Sequence, residues 1–378
     1  MLFSSLRTAF FRNLDDKEIN TSSKDIFLVG ENGQGKTNFL EALYYCAYAS
    51  SFRSINENDI ARNGEKEFST EVKFINPDKT PSINKNILIK FEKGKKSIYI
   101  DGKKVEDRRE LLSVIPCIIF CHEDMDFVKG SPEKRRWFFD QTLSLYDPIY
   151  LEDFRRYRYV LRTRNAVLRD YVLHKNKKDI EAVLDSLDPQ LAIYGQNIME
   201  KREMATKKFS DVLCPLYDEV AGISGIKVQY NRSWKAENDI YNFLCERRTA
   251  DMAAGITLSG PHRDRYIFTQ TTVNDCKDCD HKNVEFAGKA STGQRRLLAL
   301  LLRAAQSLRF SEVTGMNPVL LLDDVLLEMD GEKRRKFLTV LPVYDQAFFT
   351  FLPEEPYRHY SKEDTLIYRV QDGKTALI

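Results

Sequence analysis

One short stretch constrains this chain more than any other: Gly30-Glu31-Asn32-Gly33-Gln34-Gly35-Lys36-Thr37, set between the apolar run Ile26-Phe27-Leu28-Val29 and a segment in which Phe39, Leu40, Leu43 and Tyr44 recur at helical spacing. The order is strand, glycine-rich loop, helix. Glycines at 30, 33 and 35 let backbone N–H groups turn inward and approach an anion that a Cβ would obstruct. This is the pattern of a phosphate loop. Lys36 would reach the β and γ phosphates of a nucleotide, and the Thr37 hydroxyl would ligate magnesium at the start of a helix whose dipole favours anions.

Two later segments belong with that loop. Pro318-Val319-Leu320-Leu321-Leu322-Asp323-Asp324 is an apolar strand ending in two carboxylates, as expected where a buried sheet presents acids beside a phosphate site. Asp323 would hold magnesium through water, and Asp324 would orient or deprotonate an attacking water. Ser291-Thr292-Gly293-Gln294 opens a helix, so its N–H groups could face phosphate. For Ser291 taken alone, a plain helix cap fits equally well.

The rest of the chain is read around these motifs. Its 378 residues imply roughly two to three folding units. The segments Thr70 to Ile75, Asn86 to Phe91 and Ser97 to Ile100 predict short strands, with Asp101-Gly102 a hairpin turn. Long helical periodicity follows, with Asp147-Pro148 and Asp188-Pro189 expected to break or start helices. Val319 to Leu322 and Gln346 to Phe351 are short enough for buried parallel strands. The expected architecture is an α/β head in two parts, residues 1–131 and 255–378, with a mainly helical lobe inserted at 132–254.

Charge and cysteine usage exclude several classes. With 58 Lys and Arg against 56 Asp and Glu, the net charge is +2, so a polyanion partner must be met by a local patch. No apolar run approaches the roughly 20 residues of a membrane span. Seven scattered cysteines and the absence of a visible secretory signal suit a reducing cytoplasm, the expected location. Cys276, Cys279 and His281 resemble half a zinc site, but no second pair follows at the right spacing, and a polar loop is the preferred reading.

The order of phosphate loop, long insertion, Ser291 turn and acidic strand looks like an ABC-type ATPase head. Further motifs narrow the resemblance: Ser51-Phe52-Arg53-Ser54, Lys129-Gly130-Ser131-Pro132 through Asp140, Arg162-Thr163-Arg164-Asn165 and Ser259-Gly260-Pro261-His262-Arg263-Asp264. Together they resemble the RecF family of bacterial recombinational repair over nearly the whole length. SMC proteins, by contrast, carry long coiled coils at the insertion point.

The resemblance implies ATP and Mg2+ as cofactors, with Gly30, Glu31, Asn32, Gly33, Gln34, Gly35, Lys36 and Thr37 binding the nucleotide. Ser291, Gly293 and Gln294 would close over ATP from a second subunit. Thr37 and Asp323 would hold the metal, and Lys36 and Asp324 would be catalytic. It further implies an ATP-dependent homodimer, binding at single-stranded gaps or single/double-strand junctions, cooperation with RecO and RecR mediators, and loading of the RecA recombinase. Hydrolysis is expected to be weak, DNA-dependent and used for release, and Asp324, one methylene shorter than glutamate, suits slow turnover; Thr350 stands where transporter ATPases carry histidine, which disfavours a transporter subunit. Leu327 stands where the subunit-crossing loop often has serine.

DNA contact is read from residues as well. Arg155, Arg158, Arg162 and Arg169 fall on one helical stripe beside the apolar stripe Phe154, Tyr157, Leu161 and Leu168, a ridge that could follow a phosphate backbone. A solvated charged face laced with Glu152, Asp153 and Asp170 is the competing reading. Arg53, Lys95, Lys96, Lys103, Lys104, Arg135 and Arg136 are further candidates, whereas His262 and Arg263 are expected to shape the nucleotide or lobe boundary. Two other functions share the nucleotide motifs, an ATPase subunit of a membrane transporter and a chromosome-associated structural ATPase.

Overall fold

The structure is a computed structural model that describes residues 2–54, 56–75, 84–112, 114–174, 177–235, 239–272, 282–326 and 329–378. It divides into two compact units, residues 1–123 with 310–378, and residues 124–309. The sequence reading placed the inserted lobe at 132–254. In the structure 255–309 also cluster with the helices, because β10 pairs with β9 rather than with the head sheets.

The first unit has two six-stranded sheets. One is antiparallel, in the order β2-β1-β4-β5-β6-β7, from β1 (Leu2–Ala9), β2 (Glu18–Asn20), β4 (Phe68–Ile75), β5 (Asn84–Glu92), β6 (Lys95–Ile100) and β7 (Lys103–Val105). The other runs β15-β14-β3-β13-β12-β8, from β3 (Asp25–Val29), β8 (Cys117–Phe120), β12 (Val319–Leu322), β13 (Gln346–Phe351), β14 (Leu366–Gln371) and β15 (Lys374–Leu377). Strands β14, β3, β13, β12 and β8 run parallel, and only β15 runs against its neighbour.

Strands β3, β8, β12 and β13 are buried at every position, which is why they read as mainly apolar runs without alternation, with Asp25, Gln346 and Thr350 the polar members. Helix α1 (Lys36–Tyr48) touches both sheets, so it is apolar around most of its circumference. Phe39, Leu40 and Leu43 are fully buried there, each stabilising the unit by about 2 kcal/mol of transfer free energy. The short α2 (Arg109–Leu112) lies against it, and α10 (Gly331–Thr339) seats Phe337 edge-on to Phe120.

The second unit contains α3 (Met125–Lys129), α4 (Pro132–Tyr146), α5 (Pro148–His174), α6 (Lys177–Ala221), α7 (Ile240–Ala254), α8 (Phe286–Lys289) and most of α9 (Thr292–Thr314). A three-stranded antiparallel sheet, β11-β10-β9, is built from β9 (Ile226–Asn231), β10 (Arg265–Thr272) and β11 (Lys282–Glu285). Its core gathers Tyr150, Tyr157, Leu191, Ile198, Trp234 and Leu244.

Pro148 starts α5 as expected, but Pro189 lies inside α6, which continues through it. An interior proline costs about 3 kcal/mol. Adjacent burial offsets that cost: Leu184 and Leu191 are fully buried, and Asp188 accepts from Arg164 at 2.8 Å and from Arg248 at 2.7 Å.

Among the described residues no helix is long and apolar enough to cross a membrane, and no group of three or more His, Cys, Asp or Glu could hold a metal ion. Cys276, Cys279 and His281, like Leu327, lie outside the described residues.

Candidate nucleotide site

Sheet order builds this site. Strand β13 lies between β3, which feeds the glycine-rich loop, and β12, which ends in the acids, and all three point the same way. Leu322 pairs with Phe349, so Asp323 and Asp324 emerge beside Thr350, while Thr350 pairs with Leu28 on the other flank. Loop, threonine and acids therefore meet at one edge, outside the carboxyl ends of the strands.

The Thr37 hydroxyl donates to Asp323 Oδ1 at 2.9 Å. Thr350 Oγ1 donates to Asp324 Oδ1 at 2.8 Å and lies 3.3 Å from Asp323 Oδ1, while accepting the Asp324 N–H at 2.7 Å. Asp324 adopts φ 49°, the left-handed region that costs an ordinary side chain energy and that recurs at functional sites. Burial, helped by the charge of Asp324, pushes Asp323 up to about 7. A divalent cation between the Thr37 hydroxyl and Asp323 would reverse that shift, and hydroxyl plus carboxylate is an oxygen set magnesium accepts when phosphates and water complete its shell. The residues present fit the ion.

Lys36 is 4% exposed, and its ammonium donates to the carbonyls of Gly30 at 2.7 Å and Glu31 at 3.2 Å. The cation is thus held inside the loop. Helix α1 starts at this point, its first intrahelical N–H bond in view running from Phe39 to Gly35 O at 3.0 Å. The N–H groups of the preceding turn have no intrahelical acceptor and form an anion site with the dipole behind them. Loop and cation fit a polyphosphate.

Several residues around the loop carried no nucleotide signal in the sequence. Asn13 Oδ1 accepts from Asn38 Nδ2 at 2.8 Å. Glu41, with its side chain fully buried on α1, takes a two-pronged bond from Arg12 at 2.8 and 3.0 Å and a hydroxyl from Ser51. Arg53 donates to Asn38 Oδ1 at 2.9 Å, and its charge reaches Asp323. Sequence reading had grouped Arg53 with DNA candidates; the structure puts it at the phosphate loop, and a patterned motif, Ser51-Phe52-Arg53-Ser54, was the available signal. Lys96 pairs with Glu57 and covers the Tyr45 ring.

In the second unit, Ser291 and Gln294 cap α9 reciprocally: Gln294 N donates to Ser291 Oγ at 3.2 Å, and Ser291 N donates to Gln294 Oε1 at 2.8 Å. This is a capping box. Gly293 lies in the same first turn, where an added Cβ meets nothing within 4 Å.

The quoted motifs of this unit converge on buried ion pairs. Arg202 joins Asp140 at 2.8 Å, Asp264 at 3.0 Å and the Pro261 carbonyl at 2.7 Å, and Arg164 joins Asp188 and Asp251. Arg136 donates to the Asp264 carbonyl, and Arg135 to those of Val128 and Gly130. His262 lies between the Tyr157 hydroxyl at 2.7 Å and the Thr257 carbonyl at 3.0 Å, with burial pushing it down to about 4.

On α5, Arg155, Arg158, Arg162 and Arg169 are all exposed, with Tyr159 among them at 64%, while Tyr157 and Leu168 are buried beneath. Of the acids thought to neutralise this face, Glu152 pairs with Arg156 at 2.8 Å and Asp153 turns inward to Asn197 at 3.1 Å.

A parallel sheet carrying a phosphate loop, two terminal acids and an inserted helical lobe defines an ABC-type P-loop ATPase head. The family described as RecF/RecN/SMC N terminal domain matches residues 2–374. The chain belongs to the RecF family: it is 40% identical over 365 residues to the DNA replication and repair protein RecF of Treponema pallidum, covering 96% of this chain and 97% of that one. It is also 31% identical to the protein of the same name from Clostridium kluyveri, over the full length of both. Among solved structures, one described as the recombination mediator protein RecF-ATP in the RecFOR pathway superposes with TM-score 0.84 at 25% identity, covering 100% of this chain and 97% of that chain. The Smc head domain of Pyrococcus furiosus, with TM-score 0.56 at 14% identity, shares the fold.

Proposed function

We propose that the chain is an ATP-switched DNA-binding protein of replication and recombinational repair. The observation that carries this reading is the joining of loop and acid by the 2.9 Å bond between Thr37 and Asp323, in a chain whose RecF relatives include one described as bound to ATP. In this reading the loop N–H groups and Lys36 bind the phosphates, and Thr37 and Asp323 hold magnesium. When bound there, magnesium would offset the negative charge of the phosphates. Asp324, aimed by Thr350, orients the attacking water and takes its proton.

Ser291, Gly293 and Gln294 of a second copy would close over the nucleotide, making ATP the bond of a homodimer. The exposed arginine ridge Arg155, Arg158, Arg162 and Arg169 would then follow DNA at single-stranded gaps or single/double-strand junctions. Slow hydrolysis releases the dimer. Assistance from RecO and RecR in loading RecA completes the role. Sedimentation of the purified chain with and without Mg-ATP tests the switch: a monomer that becomes a dimer only with ATP, and not in Lys36→Ala, supports it. A monomer under all conditions, despite bound ATP, overturns it.

A further inference from the structure

The turn joining β14 to β15, Asp372-Gly373, is a two-residue hairpin with φ 49° and 76°. Lys93-Gly94, at 51° and 72°, and Asp101-Gly102, at 50° and 74°, are hairpins of the same geometry. Their surroundings differ. A Cβ on Gly94 or Gly102 would meet nothing within 4 Å, whereas on Gly373 it would lie 1.7 Å from the Asn13 carbonyl oxygen and 3.2 Å from Leu14 Cα.

What presses this turn so close is a grip on the phosphate loop. Asp372 N donates to Gln34 Oε1 at 2.7 Å, Gly373 N donates to the Gln34 carbonyl at 2.8 Å, and the Gly373 carbonyl accepts from Asp15 N at 2.9 Å. The strand leading into the turn touches the loop as well, since a Cβ on Gly30 would lie 2.3 Å from the Val370 carbonyl oxygen. In a planar trans peptide the carbonyl and the following N–H point in opposite directions. Tying the Gln34 carbonyl to the hairpin therefore turns the Gly35 N–H away from it, and fixes that donor immediately before Lys36 and the unpaired first turn of α1.

We propose that the Asp372-Gly373 turn is a positioning clamp for the phosphate loop, holding Gln34 so that the Gly35 N–H and the donors after it are set for a nucleotide polyphosphate before it arrives. Donors held in place bind without first paying the entropy of ordering. The proposal rests on the nucleotide reading above and adds to it a part of the chain that no phosphate-loop pattern includes.

The test compares Gly373→Ala with Gly102→Ala in the full chain. Both impose a side chain on the same positive φ, but only the first wedges the turn off Asn13 and Gln34. Calorimetric titration with Mg-ATP separates affinity from the fraction of competent protein. The clamp predicts that Gly373→Ala weakens ATP binding by about tenfold or more at unchanged stoichiometry, with Gly102→Ala within about twofold of the parent. Where hydrolysis is measured, KM rises and kcat at saturating ATP holds. A purely structural defect would lower stoichiometry and kcat and leave Kd and KM alone; that result, or equal affinity in the two variants, overturns the clamp. If Gly373→Ala does not fold, Gln34→Ala is read instead: it removes the acceptor of the Asp372 N–H from the other side of the contact, and parental affinity there also overturns the proposal. Absence of ATP binding by the parent chain would instead refute the nucleotide reading itself.

Discussion

Thr37 and Asp323, 286 residues apart in the chain, are joined by one hydrogen bond from hydroxyl to carboxylate at 2.9 Å. The first opens the helix after the phosphate loop and the second ends the acidic strand, so their meeting converts two separate sequence motifs into one cation-ready pair. Removing either half has a specific consequence. Asp323→Asn should weaken magnesium-dependent ATP binding by about 10- to 100-fold while leaving metal-free binding nearly intact. Lys36→Ala should weaken both. Titrations with ATP in magnesium and in EDTA distinguish the two patterns.

Thr350 supports both acids from the neighbouring strand. Thr350→Val keeps the shape but removes the hydroxyl that accepts the Asp324 N–H and bonds its carboxylate. Stability should fall by about 1 kcal/mol, read from the denaturation midpoint. Hydrolysis should slow with KM unchanged, because what is lost is the aim of Asp324 rather than the grip on ATP. An unchanged rate would remove Thr350 from the site.

Asp324→Asn leaves the side chain nearly isosteric and takes away the proton acceptor. ATP hydrolysis should drop by about 100-fold or more, while ATP binding and ATP-dependent dimerisation persist. DNA residence measured by competitor chase should lengthen accordingly. Unaltered residence would separate hydrolysis from release.

Ser291 is a capping residue as well as a candidate for the closing turn, and two substitutions divide the roles. Ser291→Ala loses the cap, at about 1 kcal/mol, and should still dimerise with ATP. Ser291→Arg also places a bulky cation in the turn and should fail to dimerise with ATP bound. Equal behaviour of the two variants in sedimentation would argue against closure through this turn.

His262 makes the second unit acid-sensitive. Burial holds its folded pKa down at about 4, against about 6.5 in an unfolded chain. Between those values the unfolded state binds the extra proton, so the stability contribution is complete above pH 6.5 and is lost as pH falls toward 4, about 3 kcal/mol in all. His262→Gln should flatten this part of the pH profile in thermal unfolding.

Much of the head was legible because its signals are local. Phosphate loop, buried strands and terminal acids each announce themselves within a few residues, and Val319–Leu322 and Gln346–Phe351 form strands at the expected bounds. What was not legible depends on tertiary placement. Nothing near Pro189 signals that a buried Asp188 would carry a helix through it, and Arg53 reads as one more surface cation until Asn38 and Glu41 are brought beside it. The Arg164 and Asp264 motifs carry the family resemblance in sequence, and in the structure they close buried charge networks whose partners lie far along the chain. Gly373 is one of several hairpin glycines until its distance to Asn13 is known.

DNA binding of the purified chain reaches furthest into the proposed function. Single-stranded, duplex and gapped oligonucleotides would be titrated with and without Mg-ATP at two salt concentrations, with oligomeric state followed in parallel. The predicted result is binding that requires ATP, accompanies dimerisation, falls steeply with salt as phosphate contacts demand, and weakens when Arg155, Arg158, Arg162 and Arg169 are replaced together by glutamine. No DNA binding in any nucleotide state would contradict the ATP-switched DNA-binding role and leave an ATPase head that works on a protein partner.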